Sequence, residues 1–474
     1  MKSTNTCICI SAMGCRMNRR KLFPIGRGLK QLSSFFTCFS SHWTGWSRCK
    51  ETKQAAQGYL SGVILPGKRK NMSGVARRIR LDLNVVQQFI TDSPWDPQKV
   101  MATNIQTMSK AIAKPEGVLI VDDTGQEKKG VKSPGVNRQY SGTLGKTGNC
   151  QVFVGCWYSV PGESWNADVR YWPAGLQLYV PEDWFENQQR CAEAGIPKDV
   201  QFQTKSKIGL DLISCVREKH VPHCAIVADA DYGTDGGFRK GLRQWKEPYV
   251  VAVIPSDFAV VPEDTPIIPA GARYACGSLR QHPGFPPDSK PRTTDVVALE
   301  IPNGNWQTVE WSEGTKGKLS ARFYRMRVRV TKTGRPTDET GWMLFEKTND
   351  GELKVYMCWG FDDASLEEVV RIAHSRWVIE QGWKQMKGEL GFDEFEGRKW
   401  QGWRHHAVMV AIAFSYLMLL RINEVSPGEK LPTLPQVRRE LLRIYTRRVF
   451  ERHLHISCEE ADSILDDIPF IVPE

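Results

Sequence analysis

Two short apolar runs that each end in carboxylates constrain the fold more than any other feature of this sequence. The first is GVLIVDDT at residues 117–124, and the second is CAIVADADYG at residues 224–233. Runs of this length, rich in Val, Ile and Ala, are typical of buried β-strands. Ligands of α/β folds bind at the carboxyl ends of such strands, although acids also occur there as turn or capping residues.

The segments around these runs alternate between strand and helix patterns. Residues 149–160 and 167–180 have strand patterns, residues 205–220 have an amphipathic helix pattern, and residues 249–255 have a further strand pattern. Adjacent strands followed by a helix and another strand predict a mixed α/β sheet flanked by helices. Three more alternating runs between residues 305 and 347 predict a β-rich insertion.

These patterns divide the chain into five parts. The expected parts are a basic segment (1–50), a helical N-terminal region that binds DNA (51–114), an α/β domain split over 115–254 and 348–425, a β-rich insertion (255–347) and a C-terminal helical region (426–474).

Positive charge is concentrated at the N-terminal end. The net charge is +11, and residues 1–80 hold 16 Lys or Arg with one acid, whereas the remainder is close to neutral. Such asymmetry indicates nucleic acid or an anionic membrane surface as a partner. For residues 1–50, a targeting peptide or a solvated tail explains the same composition.

The cysteines and the longest apolar run indicate a cytosolic protein. The 13 cysteines are scattered and include no Cys-x2-Cys pair, which argues against a disulfide framework and common zinc modules. The apolar run at residues 407–420 is too short to span a bilayer, so a buried helix is expected there and no membrane partner is expected.

A charged stripe marks the helix pattern in RWVIEQGWKQMK (376–387). At 100° per residue, Arg376, Glu380 and Lys387 fall within about 40° of one another, beside an apolar stripe typical of core packing. One interpretation is that these charges only support the helix, at about 0.3–0.5 kcal/mol per pair. The other is that Glu380 joins the acids at the sheet edge.

Three converging carboxylates have a definite chemical use. Oxygen-only ligation suits Mg²⁺ or Mn²⁺, and two such ions activate an attacking hydroxyl and stabilise a leaving oxygen at a phosphodiester. Asp122 and Asp123 point to opposite faces of a strand, so the residues alone leave open which one faces the ions. Asp229 and Asp231 share a face, and Asp229 ends the apolar run.

Several ordered motifs resemble bacterial insertion-sequence DDE transposases, the group with a Tyr-x2-Arg-x3-Glu-x6-Lys signature. Arg376, Glu380 and Lys387 match the last three positions, whereas Ala373 stands at the Tyr position. VDDTGQEKKG and VADADYG resemble the two Asp regions of this family, and the similarity runs from about residue 55 to 445.

The resemblance implies an RNase H-like catalytic fold interrupted by a β-rich insertion. It implies that Asp123, the acid directly before Thr, binds two Mg²⁺ or Mn²⁺ ions together with Asp229 and Glu380, and that Arg376 and Lys387 contact DNA. The implied reaction frees a 3′-OH at the element end and transfers that strand to target DNA. The implied partners are terminal inverted repeats, target DNA and a second copy of the chain, in the cytoplasm and at the nucleoid.

Two other functions remain open at this point. One is a domesticated DNA-binding protein without catalysis, and the other is a structure-specific nuclease with the same fold.

Two further features have competing interpretations. Trp306 and Trp311 either stack on an extruded base or pack in the sheet, and the arginines of residues 436–450 either track a DNA backbone or form a solvated face.

Overall fold

One continuous sheet of 12 strands organises the part of the chain that the structure describes. The computed structural model describes residues 50–467, apart from 66, 68, 143, 144, 161–168, 275, 277, 315, 316 and 424–430. The expectations for residues 1–49 lie outside this range.

Helices form the N-terminal part of the described chain. They are α1 (Lys50–Ile64), α2 (Met72–Ile79), α3 (Leu83–Gln87), which continues as a π-helical turn (Gln88–Asp92), and α4 (Pro97–Ile112). The Asp96 side chain accepts a hydrogen bond from the amide of Gln98, and Pro97 occupies the first position of α4. Both residue types favour a helix start, because they satisfy or remove an unpaired N–H.

The first half of the sheet has an RNase H-like strand order. Its elements are β1 (Val118–Glu127), β2 (Asn137–Ser141), β3 (Lys146–Val160), β4 (Arg170–Tyr179), α5 (Glu182–Glu186), α6 (Gln188–Ala194), α7 (Lys205–Arg217), β5 (Ala225–Ala228), α8 (Ala230–Thr234), α9 (Gly236–Gln244) and β6 (Tyr249–Val253). The order β4-β3-β1-β5-β6 combines antiparallel pairing of β4, β3 and β1 with parallel pairing of β1, β5 and β6. The mixed α/β fold class is therefore confirmed.

The strands of residues 255–347 extend this sheet rather than form one of their own. The elements of this part are β7 (Ala259–Pro262), β8 (Arg292–Thr293), α10 (Thr294–Glu300), β9 (Gln307–Gly314), β10 (Gly317–Lys332) and β11 (Arg335–Lys347), and the strand after them is β12 (Leu353–Trp359). Strand β12 pairs with β6 on one side and with β11 on the other. Its backbone therefore connects the two halves of the sheet.

The C-terminal part is helical. Its elements are α11 (Leu366–His374), α12 (Trp377–Leu390), α13 (Trp400–Asn423), α14 (Leu434–His453) and α15 (Cys458–Asp467). The sequence pattern predicts one helix from Ser365 to Gly391, but the structure divides it between α11 and α12. The Ser375 hydroxyl donates to the carbonyl of Ile372 at 2.7 Å, and the Ile379 amide bonds to Arg376 in a tight i→i−3 step.

Helix α13 is the centre of the core. It is longer than the 14-residue apolar run that the sequence shows, and by length and composition it could cross a membrane. However, 89% of its most apolar window is buried inside the protein. It packs against β4, α4, the π-helical turn and α1, so it joins the N-terminal helices to the sheet.

His406 on α13 is fully buried as a hydrogen-bonded neutral ring. Its Nδ1 lies 2.8 Å from the Tyr59 hydroxyl and its Nε2 lies 3.1 Å from the Phe392 carbonyl. A neutral imidazole with its proton on Nε2 satisfies both contacts, because the Tyr59 hydroxyl then donates to Nδ1. Burial lowers the pKa of His406 from 6.5 to about 4.

This shift predicts a loss of stability in mild acid. The folded pKa is below the unfolded value, so the contribution of His406 is complete above pH 6.5 and decreases as the pH falls towards 4. At about 1.4 kcal/mol per pKa unit, the loss amounts to about 3 kcal/mol. Urea unfolding at pH 7.5 and pH 4.5 should show this extra loss in the wild-type protein relative to His406→Gln. An equal pH dependence in both proteins would contradict it, since all other titrating groups are common to the pair.

Candidate active site

The first carboxylate of β1, Asp122, points towards helix α12. Asp122 lies opposite Gly155 in the β1–β3 pair, and directly opposed residues share a face of the sheet. A Cβ added at Gly155 would lie 2.5 Å from the Trp383 ring, which identifies the covering helix as α12. The side chain of Asp122 is 13% exposed.

The second carboxylate, Asp123, points to the opposite face and towards helix α7. Val121 shares that face by parity, and it lies against Gly209 of α7. The Asp123 carboxylate forms an ion pair with the Lys205 ammonium, the first residue of α7, at 2.7 Å. Burial alone would lower the pKa of Lys205, but Asp123, Asp231 and Asp229 raise it above its usual value.

Asp229 occupies the point where β5 becomes α8. Its Oδ1 accepts hydrogen bonds from the backbone amides of Asp231 (3.1 Å) and Tyr232 (3.3 Å), so it caps the short helix. Burial, with the negative charges of Asp231 and Asp123, raises the pKa of Asp229 to about 6. The capping role and a position beside other carboxylates are therefore combined in one residue.

Arg376 connects the sheet to Glu380. Its Nη1 lies 3.2 Å from Asp122 Oδ2, and its Nη2 lies 2.7 Å from Glu380 Oε1. Burial alone would lower the pKa of Arg376, but Asp122, Glu380 and Asp229 raise it. The Glu380 side chain is 60% exposed, so it is the solvent-facing member of this group.

The Lys387 side chain binds the backbone of β1. Its Nζ donates to the carbonyl of Gly125 at 2.8 Å, three residues beyond Asp122. Burial lowers the pKa of Lys387. The sequence predicts Lys387 as a DNA contact, and the structure also gives it a contact that fixes the end of the strand relative to α12.

Asp122 and Asp123 of β1 form one electrostatic group with Asp229 and Asp231, which follow β5. Burial, followed by the charge of Asp229, raises the pKa of Asp122 well above its usual value. The Tyr232 hydroxyl is buried near all four carboxylates and has no hydrogen-bond partner among the described residues. Excess negative charge and an unsatisfied polar atom are features that a bound cation and its water ligands would satisfy.

The donor chemistry therefore fits a divalent cation, but the carboxylates are not already gathered around a vacant position. Across the described part of the chain, no group of three or more His, Cys, Asp or Glu residues has metal-binding geometry. Instead, Arg376 lies between Asp122 and Glu380, and Lys205 lies against Asp123. These two basic side chains neutralise the acids from the two faces of the sheet.

A buried ion pair supports the α8 turn that follows Asp229. The Arg239 guanidinium forms two hydrogen bonds with Glu339 of β11, at 2.7 and 3.1 Å, and a third with the carbonyl of Gly233 at 2.6 Å. Glu339 is 3% exposed and also accepts from Tyr249. The insertion is thereby bonded to the helix that Asp229 caps.

The two features with competing interpretations have intramolecular partners. Trp306 is buried beneath Lys347, and Trp311 stacks on His374, with ring centroids 3.8 Å apart. On α14, Arg438 pairs with Glu389 and Arg447 pairs with Asp462 at 3.1 Å. Packing accounts for both tryptophans, and much of the charge on α14 is neutralised within the protein.

A family model identifies the chain. The model for DDE superfamily endonucleases matches residues 34–318, which is more than half of the sequence. The chain belongs to the DDE superfamily of endonucleases. Members of this superfamily generally use divalent metal ions, and the carboxylates at this sheet edge are suitable ligands for such ions.

Two further similarities accompany the match. The probable transposase for insertion sequence element IS701 of Microchaete diplosiphon is 25% identical over 361 residues, which cover 76% of this chain and 79% of the relative. The cryo-EM structure of the piggyBac transposase synaptic complex with hairpin DNA covers 90% of this chain and 78% of that chain, with 11% identity and a TM-score of 0.41. The fold assignment rests on the strand order rather than on this last comparison.

Two glycines allow α12 to approach the sheet closely. A Cβ at Gly382 would lie 2.5 Å from the Trp157 ring, just as one at Gly155 would meet Trp383. The Trp157 and Trp383 rings contact edge to face, with centroids 5.5 Å apart. This packing determines the distance between Arg376 and Asp122.

Substitutions at two glycines of α12 should have opposite effects on stability. Gly382→Ala should lower the free energy of unfolding by about 1–3 kcal/mol, because the methyl group collides with Trp157. Gly388→Ala is the matched control: its Cβ would enter open space, so improved helix propensity should raise stability by about 0.5–1 kcal/mol. Urea denaturation measures both, and equal effects would contradict the proposed close contact.

Proposed function

We propose that this protein is a DNA transposase that cleaves the ends of an insertion sequence and joins the freed 3′-OH strand to target DNA. The observation that carries the proposal is the Arg376 guanidinium, which bridges Asp122 and Glu380 beside the half-buried Asp229. The named function of the IS701 relative supports it.

The proposed metal-binding acids are Asp122, Asp229 and Glu380, with Mg²⁺ or Mn²⁺ as the ions and two ions per site. Asp122 replaces Asp123 in this set because Asp122 shares the α12 face and the Arg376 contact with Glu380. Asp123 faces α7 and is neutralised by Lys205. The family pattern favours Asp123, so the choice between the two is part of the test below.

The protein residues have separate tasks in this proposal. Two bound ions would supply an activated hydroxyl and a stabilised leaving oxygen. The backbone amides of Asp231 and Tyr232 hold the Asp229 carboxylate in place. Arg376 neutralises the acids before DNA arrives and then contacts phosphate oxygens, since a guanidinium pairs equally well with carboxylate and phosphate. Lys387 holds β1 against α12 and contributes positive charge to the DNA path.

The proposed partners are the terminal inverted repeats of the element, target DNA and a second copy of the chain. Two ends must be held together for coordinated joining, which a homodimer would accomplish. The proposed place of action is the cytoplasm, at the nucleoid.

Conservative replacement of each acid tests the proposal. The substrate is a plasmid that carries this gene with its native flanking DNA, incubated with Mg²⁺ or Mn²⁺ and a second target plasmid. Asp122→Asn, Asp229→Asn and Glu380→Gln should each reduce cleavage at the gene boundaries by more than about 100-fold, because each removes a charged ligand. Asp123→Asn should reduce cleavage at the gene boundaries by less than about tenfold.

The control is Glu367→Gln, which removes an exposed carboxylate from α11 and should cleave like the wild-type protein. Loss of activity in Asp123→Asn but not in Asp122→Asn would restore the assignment from the family pattern. Cleavage without joining would indicate a nuclease, and DNA binding without cleavage would indicate a non-catalytic protein. Normal cleavage by all four variants would exclude this active site.

A further inference from the structure

Uncharged polar side chains cover the outer side of the first turns of the helical segment 83–92, between the exposed carboxylates of Asp82 and Asp92. The side chains of Asn84, Gln87 and Gln88 are exposed, and these residues follow the i, i+3, i+4 spacing of one helix face. None of the three side-chain amides has a hydrogen bond to another described residue. Val85 is 41% exposed beside them. Exposed helix faces are ordinarily rich in charge, so the absence of charge from residue 84 to residue 88 is unusual for a solvated surface.

The inner side of the same segment is held firmly. Val86, Phe89 and Ile90 are buried, and Phe89 stacks on Trp95 with ring centroids 5.6 Å apart. The His405 ring bonds to the Ile90 carbonyl at 2.8 Å. The outer side chains are therefore presented on a rigid support, as specific recognition requires.

Two arginines lie beside this surface. Helix α2 and the segment are joined by the three-residue turn Arg80–Asp82. Arg77 and Arg80 are exposed and form no ion pair with the described residues. Arg80 has a φ of 53°, a conformation that costs a non-glycine residue about 1 kcal/mol or more, so Gly or Asn would be more stable there.

We propose that Asn84, Gln87 and Gln88 read base edges in the major groove of duplex DNA, with Arg77 and Arg80 on the flanking phosphates. Two helices joined by a short turn, with the second presenting its first turns to the groove, form a known DNA-reading arrangement. Asn and Gln side chains bond adenine through its N6 and N7 atoms, and an exposed valine contacts the thymine methyl group.

The chemistry therefore selects A·T pairs. Asn84 to Gln88 spans about 6 Å at 1.5 Å per residue, which corresponds to about two to four base pairs at the segment's position. This inference rests on the proposed function for its partner, but it assigns recognition to a surface far in sequence from the acids.

Selection from random DNA sequences tests the inference, because the bound duplexes themselves reveal the preferred site. The full-length protein is incubated, without divalent metal, with duplexes that contain about 20 randomised base pairs, and the bound duplexes are sequenced. The wild-type protein should enrich a sequence that includes a block of two to four A·T pairs. The variant Asn84→Ala/Gln87→Ala/Gln88→Ala should select sequences without that block. Its preference for the wild-type protein's selected duplex over a shuffled duplex should fall by about 100-fold or more. Its affinity for the shuffled duplex should stay within about twofold.

Two comparison variants distinguish the recognition of base pairs from the effects of lost positive charge and of amides removed elsewhere. Gln98→Ala/Gln106→Ala/Gln244→Ala removes three exposed amides elsewhere and should select the wild-type sequence. Arg77→Gln/Arg80→Gln should weaken binding to the selected and the shuffled duplex alike. It should also reduce the slope of log affinity against log salt concentration by about 1.8.

Selection of the same block by the triple alanine variant would overturn the inference, as would a wild-type protein that selects no sequence. If the wild-type protein cleaves its flanking DNA but selects nothing, only this inference fails. If it neither cleaves nor binds DNA, the proposed function fails as well.

Discussion

The contact of Arg376 with both Asp122 and Glu380 is the interaction on which the site depends. Arg376 joins Asp122, in the middle of the sheet, to Glu380 on helix α12. In the sequence, Arg376 lies 254 residues after Asp122. Burial, followed by the negative charge of Asp229, raises the pKa of Asp122, and the positive charge of Arg376 opposes that rise. The guanidinium holds the Asp122 and Glu380 carboxylates close to each other in the absence of a bound cation.

The rest of the fold maintains that contact. Gly155 and Gly382 allow the Trp157 and Trp383 rings to interlock, which sets the height of α12 above β1. Lys387 adds a second connection to β1. From the other side, Arg239 connects the α8 turn to Glu339 in the insertion, so that β11 supports the turn that holds Asp229.

The sequence predicts those parts that local pattern determines. Apolar runs that end in acids locate β1 and β5, and the i, i+4 spacing of Arg376 and Glu380 correctly predicts their ion pair. The capping role of Ser365 was also predictable from Glu368 three residues later, and the structure has that amide bond. The strand pattern of residues 167–180 continues through Pro173, because β4 pairs only with β3 among the described strands and a β-bulge at Ala174 lies next to the proline.

Other features depend on contacts that no local pattern reveals. Which of Asp122 and Asp123 faces α12 depends on how helices cover the sheet, which is a tertiary property. The ion pair between Lys205 and Asp123 has the same origin. The predicted helix divides where the Ser375 hydroxyl bonds to the Ile372 carbonyl, and the insertion joins the main sheet through the pairing of β12 with both β6 and β11.

The most direct test of the central claim is the position of bound Mn²⁺, determined from its anomalous scattering in crystals of the protein with DNA. We predict manganese peaks in contact with carboxylate oxygens of Asp122, Asp229 and Glu380, with Arg376 turned from the acids towards a phosphate. Manganese held by Asp123 with Lys205 displaced, or an Arg376 bridge that persists with no ion bound nearby, would contradict it.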